Sequence, residues 1–131
     1  MARIAECQCG AVRALCEGDP VRVSVCHCLA CQRRSGSAFA AQARFLKDLV
    51  TVTGETRVYV RVADSGQRAF HDFCVACGST IAYRIEDQPD LTAIPLGAFA
   101  DPDFPAPRFS VYEARKHAWT EVLGDEVEHF D

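Results

Sequence analysis

The 131-residue sequence has no long run of apolar residues. No stretch approaches the roughly 18 consecutive apolar residues that a membrane-spanning helix needs, so we expect no membrane partner. The first ten residues, "MARIAECQCG", also lack the apolar core and the cleavage site of a secretory signal peptide. These two absences predict a cytoplasmic protein, in a compartment where thiols stay reduced.

The sequence also lacks an excess of positive charge. It has 14 Lys and Arg residues against 18 Asp and Glu residues, which gives a formal net charge of −4. Binding to the phosphates of nucleic acid requires a basic face, so the composition predicts no nucleic-acid partner. The local basic pair Arg33–Arg34 is interpreted as a solvated turn or as a contact to a small anion.

Internal repeats, low-complexity segments and linkers are absent as well, and the length suits one domain. We therefore expect a single domain over residues 1–131, with its core at about 5–122 and an acidic tail at 124–131 that frays. The sequence gives no indication of the oligomeric state.

Alternation of apolar and polar side chains predicts a mainly β fold. Residues 21–25 ("VRVSV") and 57–62 ("RVYVRV") each place valines on one strand face, which is typical of half-buried strands. Further strands are predicted in the segments "AFAAQARF", "QRAFHDF", "STIAYRI", "LTAIPLG" and "FSVYEA". The helix candidates are short and comprise a turn after Cys31 and the segment "FLKDL" at 45–49.

Cysteine is the residue that is plentiful, with eight copies. Seven of them form three clusters in the sequence, and the eighth, Cys16, stands alone and is predicted to be a packed core thiol. A chain of this length can bury a core without disulfides, so metal binding or thiol chemistry explains the clusters better. The clusters are "CQC" at 7–9, "CHCLAC" at 26–31 and "CVAC" at 74–77.

The spacings are those of zinc half-sites. A C-x-x-C turn followed by Gly78 directs two sulfurs to one centre, and a C-x-C pair in a strand places both side chains on one face. Spacing alone leaves the partition open, because Cys7 and Cys9 can join either of the other clusters. If they join Cys74 and Cys77, "CHCLAC" retains three thiolates, which is the ligand count of a catalytic zinc with one open position.

Other interpretations of these cysteines remain open. Reduced cysteines can pack as small hydrophobes, and the three cysteines of "CHCLAC" can form a redox-active disulfide when metal is absent. A thioredoxin-like C-x-x-C is disfavoured because no βαβ pattern surrounds Cys74 and Cys77.

Three ordered motifs carry a resemblance to a known family, and together with the later segment "LGAFADPDFPAPRFSVYEARKHAW" they extend from about Cys7 to Trp119. The motifs "CQCGAV", "CHCLACQRRSGSAF" and "FCVACGST" resemble the glutathione-dependent formaldehyde-activating enzyme family, which also includes centromere protein V. The resemblance implies a zinc-stabilised β-tent of small antiparallel sheets. It also implies one structural zinc on Cys7, Cys9, Cys74 and Cys77 and a second, catalytic zinc on Cys26, Cys28 and Cys31.

The resemblance further implies a reaction. The family joins glutathione and formaldehyde to S-hydroxymethylglutathione, which is a carbon–sulfur lyase reaction in reverse. We expect a zinc-dependent enzyme that acts on a small-molecule thiol/aldehyde adduct. The alternative hypothesis is a non-catalytic zinc-stabilised scaffold that binds another protein.

Several polar residues are secondary candidates. His27 lies between two ligands and is expected to be exposed or hydrogen-bonded, and His71 is expected to be a satisfied sheet histidine rather than a base. His117 and Trp119 are expected either to line a pocket or to end a late strand with a core anchor. The turn at 35–37 is expected to bind a carboxylate or to cap the preceding turn.

Overall fold

The computed structural model describes all 131 residues as one mainly β domain with small antiparallel and mixed sheets. None of its helices is long and apolar enough to cross a membrane. Its strands are β1 (Ala2–Glu6), β2 (Arg13–Glu17), β3 (Arg22–Cys26), β4 (Ala40–Leu46), β5 (Val50–Thr53), β6 (Thr56–Val62), β7 (Arg68–Cys74), β8 (Thr80–Ile85), β9 (Leu91–Pro95), β10 (Phe109–Val111) and β11 (Glu128–His129). Its helices are α1 (Leu29–Ser35) and the 3₁₀ turns Lys47–Leu49, Leu96–Phe99 and Glu113–Arg115.

The strands form a three-stranded sheet in the order β1-β2-β5 and an eight-stranded sheet in the order β11-β10-β3-β4-β9-β8-β7-β6. Most neighbours are antiparallel, but β10 pairs in parallel with both β3 and β11. The larger sheet is therefore mixed, and the expectation of antiparallel sheets alone is wrong at this edge.

The hydrophobic core contains buried residues from both sheets. Strand β2 shows the cleanest alternation, with Ala14 and Cys16 buried and Arg13, Leu15 and Glu17 exposed. Burial raises the pKa of the Cys16 thiol to about 11, so it remains a neutral apolar group. The prediction of a packed core thiol at Cys16 is confirmed.

Strands β6 and β3 form as predicted, but the burial of their side chains differs from the prediction. The valines of β6 are 50%, 42% and 63% exposed at Val58, Val60 and Val62, because β6 is the last strand of its sheet and nothing covers this face. Strand β3 differs in the opposite way, since Ser24 and Cys26 are as buried as Val23 and Val25.

The acidic tail is ordered by backbone pairing. Strand β11 lies beside β10, and the Phe130 N–H donates to the Ser110 carbonyl at 2.9 Å. The prediction that this tail frays is therefore wrong. The predicted helix at 45–49 is also wrong in part, since Phe45 and Leu46 end β4 and only Lys47–Leu49 forms a 3₁₀ turn.

Candidate metal centres and the adjacent cleft

The first centre joins two distant turns of the chain. One turn follows β1, where the Gly10 N–H donates to the Cys7 carbonyl at 3.0 Å. The other follows β7, where the Gly78 N–H donates to the Cys74 carbonyl at 2.9 Å and Gly78 adopts a φ of 81°, a conformation that favours glycine. These turns form the four-cysteine cluster of Cys7, Cys9, Cys74 and Cys77, with all four sulfurs within 4.8 Å of one another.

The sulfur separations suit a metal ion. The Sγ atoms of Cys7 and Cys9 are 3.6 Å apart, and those of Cys9 and Cys74 are 3.7 Å apart. A tetrahedral ion with metal–sulfur distances near those of zinc holds its sulfurs about 3.8 Å apart. The four-cysteine cluster could therefore bind a metal ion without rearrangement of the sulfurs.

Hydrogen-bond donors favour the thiolate form of Cys7 and Cys77. At Cys9 the Ala11 N–H acts in the same direction, but the Cys7 thiol and burial outweigh it and raise the pKa to about 11. The Val12 N–H donates to Cys7 Sγ at 3.2 Å, and the Ala76 N–H donates to Cys74 Sγ at 3.4 Å. Hydrogen bonds from Ser79 lower the pKa of the Cys77 thiol to about 5. Because a metal binds the thiolate form, these donors assist binding.

The second centre is built within six residues. Cys26 ends β3, Cys28 is the N-cap of α1, and Cys31 lies in the first turn of that helix. The Cys31 N–H donates to Cys28 Sγ at 3.3 Å, so the helix start itself orients the two sulfurs. The three sulfurs of this three-cysteine cluster lie within 4.8 Å of one another, so it could also bind a metal ion.

One sulfur of the three-cysteine cluster is predisposed to ionise. Side-chain hydrogen bonds from Cys26 and Cys31 lower the pKa of the Cys28 thiol to about 2. The reciprocal interaction with Cys28 raises the pKa of Cys26. The mutual hydrogen bonds of the cluster therefore favour a thiolate at Cys28.

His27 is fully buried between two cysteines of this cluster and is hydrogen-bonded, so the expectation of an exposed side chain is wrong and its alternative is confirmed. Ser110 Oγ donates to Glu113 Oε2 at 2.6 Å, so it accepts from His27 Nε2–H at 2.9 Å. His129 Nδ1 lies 2.8 Å from the same Glu113 oxygen and extends the chain to β11. Burial raises the pKa of Glu113, but the hydrogen bonds from His129 and Ser110 outweigh it and the net pKa is lowered.

Gln32 connects α1 to the segment that follows β10, and the sequence did not predict this. Its Nε2 donates to the His27 carbonyl at 2.8 Å and to the Arg115 carbonyl at 3.1 Å. Its Oε1 lies 3.0 Å from His117 Nε2. A glutamine in a polar helix carries no sequence signal for such contacts, because they depend on where the C-terminal segment packs.

A cleft of about 1350 Å³ lies beside the three-cysteine cluster. Cys26, Cys28 and Cys31 line it, whereas no residue of the four-cysteine cluster does. The cleft lies on one face of the large sheet, and α1 contributes Leu29, Ala30, Cys31, Arg33 and Arg34 to its lining. The three-cysteine cluster is thus the one of the two clusters that borders the cleft.

His71 lies in this cleft with 8% of its surface exposed and stands between two tyrosines. Burial and the positive charges of Arg34 and Arg61 lower its pKa to about 4, so it is neutral at pH 7. Its Nδ1 atom is buried without a hydrogen-bond partner, so the expectation of a satisfied sheet histidine is wrong.

The remaining candidates lie outside the cleft, except the basic pair. The Ser35 hydroxyl donates to the Cys31 carbonyl at 2.8 Å, so this turn caps α1 and holds no part of the cleft. Trp119 is 75% exposed and His117 is also exposed, so they neither line the cleft nor anchor the core. Arg33 and Arg34 both line the cleft.

The comparison with protein families agrees with this arrangement. A model of the glutathione-dependent formaldehyde-activating enzyme family matches residues 2–115, which include both cysteine clusters. The chain belongs to this family.

A solved structure with a similar fold is distant in sequence. A crystal structure of a Rhodobacter sphaeroides protein is similar with a TM-score of 0.58 and 21% sequence identity, and the alignment covers 76% of this chain and 91% of that one. At this identity the similarity extends to the fold alone. No curated protein sequence matches the chain. Family membership and fold are therefore established, whereas the reaction has to be inferred from the site.

Proposed function

We propose that the protein is a zinc-dependent carbon–sulfur lyase-type enzyme that forms or cleaves the adduct of a small thiol and an aldehyde. This reaction is similar to that of S-(hydroxymethyl)glutathione synthase. The observation that carries the proposal is the three-cysteine cluster in the wall of a large cleft. Three protein ligands leave a tetrahedral ion one position for a substrate, whereas four close it.

In this proposal Cys7, Cys9, Cys74 and Cys77 hold a structural zinc, and Cys26, Cys28 and Cys31 hold the zinc of the reaction. When bound there, zinc supplies a Lewis acid that favours the thiolate form of a thiol and polarises an aldehyde oxygen. The protein residues orient the cluster through the α1 cap and the His27 chain.

The reaction is the addition of the thiol to the aldehyde. The thiol sulfur forms a bond to the aldehyde carbon, and the electron pair of the C=O π bond moves to the oxygen. That oxygen takes up the proton that the thiol released. We assign the proton transfer to water, because His71 with a pKa of about 4 is a weak base at neutral pH.

Isotope-edited NMR with ¹³C-formaldehyde tests the proposal. We expect the zinc-loaded protein to accelerate exchange between free formaldehyde and the S-hydroxymethyl adduct for at least one thiol of a panel that includes glutathione. Cys28→Ser is expected to abolish the acceleration, and Cys16→Ala, which removes a thiol outside both clusters, to retain it. Exchange no faster than the spontaneous reaction for every thiol would overturn the enzyme proposal and favour the scaffold hypothesis.

A further inference from the structure

One continuous row of side chains crosses the cleft face of six neighbouring strands. Arg22 pairs with Arg44, and Arg44 in turn pairs with Ala93. Ala93 pairs with Tyr83, Tyr83 with His71, and His71 with Tyr59. Directly opposed residues share a sheet face, so these six form what we call the arginine–aromatic row: Arg22, Arg44, Ala93, Tyr83, His71 and Tyr59.

The row begins with two like charges that face each other. Opposed like charges destabilise a sheet, and neither arginine makes an ion pair in this structure. Arg44 Nη1 donates to Ser24 Oγ at 3.3 Å, and the Arg22 guanidinium lies 4.1 Å from the Phe109 ring centroid. These contacts position both guanidinium groups without an ion pair, and Glu128 is the acidic residue whose charge acts on Arg22.

Two more arginines approach the aromatic half of the row. The Arg34 guanidinium, from α1, lies 4.9 Å from the Tyr83 ring centroid. Arg61 lies two residues beyond Tyr59 on β6 and so projects from the same face. Both arginines are close enough to His71 for their charges to lower its pKa.

The charge of the cleft is opposite to that of the whole protein. Five arginines line it, namely Arg22, Arg33, Arg34, Arg44 and Arg61, and Asp64 is the single acidic residue among the lining side chains. The cleft therefore has four excess positive charges, although the chain has a net charge of −4. A zinc ion with three thiolates adds about one negative charge, so the cleft stays strongly positive.

Buried polar atoms in the cleft also lack partners. His71 and Gln42 are 8% and 2% exposed, and both line the cleft. His71 Nδ1 and Gln42 Oε1 have no hydrogen-bond partner. Buried polar atoms are normally paired, so these two unpaired atoms favour a polar ligand or water in this part of the cleft.

We propose that the thiol substrate of this cleft is a small dianion that has no ammonium group, held by Arg34, Arg44 and Arg61. This inference rests on the proposed function for the thiol, but the anion site is independent of catalysis. Guanidinium groups bind carboxylates in bidentate pairs, and three of them suit two negative charges. An α-ammonium group, as in glutathione, would meet this excess of positive charge and only one carboxylate, Asp64.

Calorimetric titration of the zinc-loaded protein with thiols of graded charge tests this inference. The probes are mercaptosuccinate, glutathione and cysteamine, together with succinate, which has two carboxylates and no thiol. We expect mercaptosuccinate to bind about tenfold or more tightly than glutathione, and cysteamine to bind most weakly. Binding of both dianions should weaken as the salt concentration rises.

Substitutions locate the site. Arg44→Gln and Arg61→Gln should each weaken succinate binding about tenfold or more, because each removes a charge-assisted hydrogen bond. Arg84→Gln is the matched control, since Arg84 is on β8 beside Tyr83 but points to the opposite face and pairs with Asp72. The control should bind succinate as the unsubstituted protein does.

The outcomes separate the two proposals. Equal affinity for glutathione and mercaptosuccinate would overturn the exclusion of an ammonium group. Unchanged succinate binding in both arginine variants would overturn the anion site. Arginine-dependent succinate binding in a protein that fails the formaldehyde exchange test would support the anion site and reject the thiol reaction alone.

Discussion

The four-cysteine cluster packs at the edge of the hydrophobic core, where Cys7 and Cys74 are themselves core residues. The three-cysteine cluster lines a cleft with an excess of arginine. The ligand chemistry of the two clusters is the same, and their sulfurs have similar spacing. In the proposed function, surroundings and ligand count, rather than the ligands themselves, distinguish the structural centre from the reactive one.

Substitution of one ligand in each cluster should have the largest and the most different effects. We expect Cys77→Ser to unfold the domain, because structural zinc contributes about 10 kcal/mol or more in small zinc domains, comparable to the whole stability of many proteins. Circular dichroism and thermal melting measure the effect. A variant that melts like the unsubstituted protein would show that the four-cysteine cluster has no structural role.

Cys28→Ser is the matched change in the other cluster, and serine retains the N-cap of α1. We expect a folded protein whose melting temperature changes by only a few degrees, whose metal content falls from two ions to one, and whose exchange activity is lost. Mass spectrometry under native conditions gives the metal count. Retention of two ions would contradict the ligand role of Cys28.

His71, which lines the cleft, makes the stability of the fold depend on pH. Its folded pKa of about 4 lies below that of an unfolded histidine, so it stabilises the fold above about pH 6.5 and this stabilisation is lost as the pH falls toward 4. His71→Phe should reduce the acid-induced decrease in the free energy of unfolding by up to about 3 kcal/mol. Urea unfolding at pH 7 and pH 4.5 measures it, and an equal loss in both proteins would contradict the assignment.

The smallest expected effect concerns the support of the three-cysteine cluster. Ser110→Ala leaves the buried His27 Nε2–H without a partner, which should lower the free energy of unfolding by about 1–3 kcal/mol. It should also weaken metal binding at the three-cysteine cluster about tenfold. Competition with a metal chelator measures each site, and the exposed Ser37→Ala is the control. Equal weakening at both clusters would show a general loss of stability rather than positioning.

The sequence predicted those parts of the molecule that depend on local spacing. The knuckle at Cys74 and Cys77, the alternation that forms the strands and the core thiol at Cys16 follow from residues close together in the chain. The resemblance supplied the grouping of Cys7 and Cys9 with the distant knuckle, which spacing left open.

The rest depends on long-range pairing. Alternation predicts a strand at 56–62 but cannot reveal that it is the sheet edge, so its exposed valines were unexpected. The ordered tail requires a parallel partner that forms elsewhere in the chain. The arginine–aromatic row requires the register of six strands, and no single segment carries that information.

The sequence separation of the cysteines in each cluster also predicts the order in which the two clusters assemble during folding. The three-cysteine cluster needs only one turn of helix, whereas Cys9 and Cys74 are 65 residues apart and must close a long loop, at an extra entropic cost of roughly 2 kcal/mol. We expect pulsed thiol alkylation during refolding in zinc to show protection of Cys28 and Cys31 before Cys74 and Cys77. The three-cysteine cluster would then bind its ion early in folding, before an ion in the four-cysteine cluster completes the fold.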